Sequence, residues 1–189
     1  MDQPDLDELR RRRDSLIAQI ERDFAGVSRE GGVSISEAYA IDDWESDDVC
    51  AAARASDTYS DWKTLDVAEL DPCGIWHSFM DPIGVRFHLP AYLCFTLKHG
   101  LWQFGPTVNS NAYASEFLFL LDTEWRQQKF ALLTAPQRRC VARYLAFQAE
   151  LQDSDLLRDP WIEALTYWID ALPAGEQTAI RKRWPQLRA

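Results

Sequence analysis

Apolar residues recur at spacings of three and four through most of this chain. Leu6, Leu9, Leu16, Ile17, Ile20 and Phe24 fall on one stripe, which predicts a helix over about 4–25. Pro4 suits its first turn, and Asp5, Asp7 and Glu8 suit its positive N-terminus, while Gly26 suits a C-terminal cap. Gly31-Gly32 marks a turn. Ser34 and Glu37 stand three apart, the capping-box spacing, and predict a helix over about 35–45. The Ala-rich stretch 47–57 is helix-competent, and a short helix is expected after Ser60-Asp61 with Trp62, Leu65 and Leu70 inward. Thr134, with Pro136 in the first turn, predicts a helix over about 135–151 that presents Val141, Tyr144, Leu145, Gln148 and Leu151 on one face. Asp159-Pro160 repeats that start, and Trp161, Ile162, Leu165, Trp168, Ile169 and Leu172 give the cleanest helical stripe in the chain. Pro173 ends it, and a last helix is expected over about 175–184.

Between 71 and 90 the period changes. Asp81-Pro82-Ile83-Gly84 has the residues of a type I turn, and Val85, Phe87 and Leu89 then alternate with Arg86 and His88. This reads as a β-hairpin packed on helices, since a lone hairpin is marginal in water. Asp81 and Arg86 flank the turn, where an ion pair would brace it. Pro90 opens a helix that closes near Gly100, and Ser110–Leu121 reads as helical and apolar. The fold class is therefore mainly α: a single compact helical domain over 1–189 with one short β-hairpin. It comprises an N-terminal helix over 1–25, a core over 26–150 and a C-terminal helical extension over 151–189.

Composition supports a folded chain. Of 189 residues, 47% are hydrophobic and 8 are Trp, enough to build a core. No apolar run approaches the length of a membrane span. The N-terminus lacks the basic start and apolar middle of a secretory signal, so the cytoplasm is expected. Cys50, Cys73, Cys94 and Cys140 form no Cys-x-x-Cys pair, which argues against a zinc ribbon or a dense disulfide scaffold.

Charge changes the picture more. The net charge is -10, unfavourable for nucleic acid, whose phosphates need a basic face. From Glu37 to Asp71 there are eleven acidic residues and two basic ones, nearly the whole net charge in one segment. Basic clusters stand at the two ends, Arg10–Arg13 and Arg181–Arg183; the first reads as the solvated outer face of its helix.

The stretches Glu30-Gly31-Gly32-Val33-Ser34, Glu37-Ala38 and Ile41-Asp42-Asp43 form one half of a signature. Ser78-Phe79-Met80-Asp81 and Gly84-Val85-Arg86-Phe87-His88-Leu89-Pro90-Ala91-Tyr92 form the other. With Leu133-Thr134 and Gln137 onward, these resemble an uncharacterised bacterial family, a domain of unknown function. The resemblance spans roughly residues 24–147. It implies no activity and carries over no catalytic residue.

Candidate chemistry is sparse. His77, His88, His99 and Cys73 lack the spacing of a zinc site, and no Gly-x-Ser-x-Gly elbow or Gly-rich phosphate loop occurs. No catalytic residue, metal or cofactor is expected. Trp44 and Trp62 stand inside the acidic segment, and aromatics ringed by charge are typical interface anchors. The leading expectation is a non-catalytic module whose acidic face binds a basic protein partner, as an immunity protein or inhibitor of a basic toxin enzyme would. The binding residues expected are Glu37, Asp42, Asp43, Trp44, Asp47, Asp48, Asp57 and Trp62, with Arg86 as a candidate for an anionic group. The alternative is a divalent-metal-dependent hydrolase using Asp42, Asp43 and Asp57.

Overall fold

The structure, a computed structural model, describes residues 6–67, 76–99, 123–152 and 154–187. Its chain divides into two compact units, one of Met1–Phe24 with Thr134–Ala189 and one of Ala25–Leu133.

The first unit is built on α1 (Leu6–Asp23) and α7 (Ala135–Leu151), which pack together. α7 starts as its sequence dictates. The Thr134 side chain accepts from the Gln137 amide, and the Gln137 side chain accepts from the Thr134 amide, closing a capping box. The face that carries Cys140, Val141, Tyr144 and Leu145 is buried. α8 (Asp155–Thr166) covers part of it, with Trp161 edge-on to Tyr144 at a centroid distance of 6.1 Å. Ser154 caps α8, so the helix begins before Asp159-Pro160 and Pro160 lies inside it. The apolar stripe then runs beyond the helix: Ile169–Ala171 is a 3-10 turn, which still buries Ile169. α9 (Ala174–Arg183) and a closing 3-10 turn, Pro185–Leu187, complete the unit.

The second unit contains α2 (Ile35–Asp42), α3 (Asp47–Ser56), a 3-10 turn at Trp62–Thr64, α4 (Trp76–Phe79), α5 (Pro82–His99) and α6 (Thr123–Lys129). Before α2 the chain reverses at Arg29–Gly32. Glu30 and Gly31 both take positive φ, 51° and 87°, and the Gly32 amide donates to the Arg29 carbonyl at 2.7 Å. The capping box of Ser34 and Glu37 is formed.

Among the described residues there is no β-strand, so the hairpin expected around Asp81–Gly84 is not formed. Asp81-Pro82-Ile83-Gly84 is instead the first turn of α5. A type I turn and a helical first turn share nearly the same backbone angles, and both favour Pro at the leading position. Asp81 Oδ1 caps the helix, accepting from the Gly84 amide at 2.8 Å and also from the Val33 amide at 3.1 Å. The alternation of Val85, Phe87 and Leu89 has no two-residue meaning here. Gly84, Val85, Phe87, His88, Leu89 and Pro90 are all buried. A helix buried over most of its surface shows no continuous polar face from which a period of 3.6 could be read. The helix also runs through Pro90, which has no N–H to give to the Arg86 carbonyl four residues back. Ser110–Leu121 lies outside the described residues.

Candidate functional site

The acidic segment turns a corner between α2 and α3. Three backbone bonds close the end of α2: Asp43 N–H to Tyr39 O, Trp44 N–H to Ile41 O at 3.1 Å and Glu45 N–H to Ala40 O at 3.0 Å. The last two are the paired bonds of a Schellman motif, which puts Trp44 at the position where the chain must turn left-handed. Glycine usually stands there. Trp44 takes it with φ 58° and leaves its side chain 94% exposed. Glu45 and Ser46 then lead into α3, whose first turn carries Asp47 and Asp48. Asp43, Glu45, Asp47 and Asp48 are exposed and Asp42 is half-buried. Among the described residues none of these five carboxylates forms an ion pair. α3 has no buried residue, and Val49, Ala51 and Ala52 lie open beside the corner.

The other expected binding residues do not join this surface. Glu37 is 4% exposed and takes both hydrogen bonds of the Arg54 guanidinium, while its Oε2 also accepts from the Ser34 amide. It ties α2 to α3. Trp62 is 3% exposed and belongs to the core, with the Lys63 ammonium 5.7 Å from its ring centroid. Arg86 lies on α5, and among the described residues its buried Nε has no hydrogen-bond partner. Asp81, expected to pair with it, serves as the cap of α5.

Asp57 is buried and anchors the start of α2. It accepts from the Ser36 amide at 2.9 Å and from the Ser36 hydroxyl at 2.7 Å. Burial alone would raise its pKa, yet hydrogen bonds from Ser34, Ser36 and Tyr59 hold the carboxyl below its usual value. Tyr59 continues the network. Its hydroxyl lies 3.1 Å from Asp57 Oδ2 and 3.1 Å from His88 Nε2, and it accepts from the Ile35 amide. His88 Nδ1 faces the Gly84 carbonyl at 2.7 Å, so this nitrogen carries the proton that is donated to it. Burial pushes the Tyr59 hydroxyl up to about 12 and the His88 imidazole down to about 4. Arg29 lies over the Tyr59 ring at 5.0 Å and donates to the Asp57 carbonyl. Ser36, Asp57, Tyr59 and His88 come from distant positions without motif spacing, and no periodic signal in the sequence joins them.

No group of three or more His, Cys, Asp or Glu side chains able to hold a metal ion occurs among the described residues. Asp57 is engaged with Ser36 and Tyr59 and makes no cluster with Asp42 and Asp43. Cys73 lies outside the described residues. No helix among the described residues is long and apolar enough to cross a membrane.

No curated protein and no solved structure gives a significant match to this sequence. A family model does: it matches residues 12–172, through both units and across the acidic corner, and its description assigns no function. The chain therefore belongs to the family of unknown function DUF6714.

Proposed function

We propose that this protein is a non-catalytic binding module that docks a basic protein through the corner formed by Asp42, Asp43, Trp44, Glu45, Asp47 and Asp48. The observation that carries this reading is Trp44, a large aromatic 94% exposed at a left-handed position that glycine would fill without strain. Nothing in the packing of α2 or α3 calls for an indole there. Around it stand carboxylates without cationic partners among the described residues. Arg12 and Arg183, from the two terminal basic clusters, are both engaged with Glu150. Clustered carboxylates raise the encounter rate with a positive partner, and a central aromatic slows its release. A toxin-neutralising immunity protein or an inhibitor of a basic enzyme would use a surface of this kind.

The test is affinity capture on the immobilised protein at low salt, followed by binding kinetics on the basic protein retained. Trp44→Ala is expected to weaken binding by about thirtyfold, the size of an interface hot spot. Asp43→Asn with Asp47→Asn should slow association and flatten its salt dependence. The reading is lost if no basic protein is retained, or if Trp44→Ala binds as well as the unmodified chain.

A further inference from the structure

The first unit holds a cavity of about 560 Å³, within the range of roughly 300–1,000 Å³ typical of small-molecule sites. Its floor is α7 and its walls are α1 and α9. Leu16, Ala146, Phe147, Ala179, Ile180 and Trp184 make its lining largely apolar. Two charged crosspieces span it. At one end Arg143, on the floor, gives Nε and Nη2 to Glu176 of α9 at 2.9 and 2.6 Å, and Nη1 to Gln19 of α1 at 2.8 Å. At the other end Glu150, also on the floor, takes Nη1 and Nη2 of Arg12 of α1 at 2.7 and 2.6 Å, and Nη1 of Arg183 of α9 at 3.0 Å. Arg143 and Glu150 are seven residues apart, so they share one face of α7 at a separation of roughly 10 Å along the helix axis.

These bridges bound the space. A partner helix is about 10 Å across and needs an open trough, whereas here each end is crossed from wall to wall. A small molecule needs no trough. The crosspieces also differ in charge: Glu176 balances Arg143, but the single carboxylate of Glu150 faces two guanidinium groups. Glu8, whose charge also reaches Arg12, is bonded to Arg11, so among the described residues one positive charge is left over at that end, on Arg183, which spends one nitrogen on Glu150 and is half-exposed. We infer that this cavity binds a small anionic amphiphile, its apolar body between the two crosspieces and its carboxylate or phosphate head at Arg12 and Arg183. The cavity shares no residue with the corner at Trp44, and the inference does not depend on that reading.

Titration calorimetry tests this on the full chain, with octanoate, octyl phosphate and octylammonium kept below micelle-forming concentrations. Saturable binding of one octanoate or octyl phosphate per chain is expected, and the tighter of the two identifies the head group. Octylammonium should bind at least about tenfold more weakly, and Arg183→Gln should weaken the anions by about tenfold, the worth of one charge-assisted hydrogen bond. Ala146→Phe, which fills the floor, should abolish binding while the circular dichroism spectrum stays unchanged. The inference is overturned if neither anion binds saturably, if octylammonium binds equally, or if Arg183→Gln binds like the unmodified protein. Arg183 is half-exposed, so its replacement leaves folding intact and the test stands even should Ala146→Phe fail to fold.

Discussion

Gly84→Ala is expected to destabilise the protein by about 3 kcal/mol, lowering its melting temperature by roughly 10 °C. Helix propensity alone predicts the opposite sign, because Ala is better than Gly in a helix by about 1 kcal/mol. Packing decides it. A Cβ on Gly84 would overlap the Val33 carbonyl oxygen far inside the 3.0 Å that real Cβ atoms respect, and would meet Asp81 Oδ1 at 3.1 Å. The obstacle is backbone, held by the bond from the Val33 amide to Asp81 Oδ1, and cannot swing aside as a side chain would. Gly32 lies on the other side of the same contact; its added Cβ would fall 2.7 Å from the Gly84 nitrogen. Gly175→Ala, on α9 with nothing within 4 Å, is the control. There propensity acts alone and the melting temperature should rise. Equal behaviour of the two variants in thermal and urea unfolding would remove the argument for close backbone approach.

The second large effect is on pH. His88 is fully buried and its imidazole titrates near 4, against 6.5 in an unfolded chain. Burial outweighs the Gly84 carbonyl and the carboxylates of Asp57 and Asp81, which favour the charged ring, and Arg29 acts in the same direction as burial. Between these two pH values the unfolded chain binds a proton that the folded chain refuses, so stability rises with pH across that window. The contribution is complete above pH 6.5 and falls away as the pH drops towards 4. At pH 4.5 the loss should be roughly 2–3 kcal/mol relative to pH 7. Urea unfolding at the two pH values measures it. Replacement of His88 by Leu or Asn should lower stability at pH 7 and flatten the slope. A slope that persists in both variants would assign the acid sensitivity to other groups.

Much of the helical framework was readable because helix starts are local chemistry. Ser34 with Glu37, and Thr134 with Gln137, are each three apart, and both pairs form the reciprocal bonds that this spacing allows. α5 was readable as a helix only from Pro90 onward; its first half, largely buried and opened by a turn-like Asp-Pro, resembles a strand after a tight turn. The corner was half-readable. Asp42, Asp43, Trp44, Asp47 and Asp48 run together in the chain and stay together at the surface. Glu37 and Asp57 share their composition but are withdrawn by Arg54 and Ser36, partners that lie 17 and 21 residues away. Trp62 stands in the same acidic segment as Trp44, after Asp61 but before Lys63; only tertiary packing separates a core indole from an exposed one.

The left-handed backbone at Trp44 sets folding and recognition against each other at a single residue. A non-glycine side chain there sacrifices roughly 1–2 kcal/mol. Trp44→Gly should therefore melt higher than the native chain while losing its grip on a partner, an inverse relation between robustness and performance that selection for stability alone would erase.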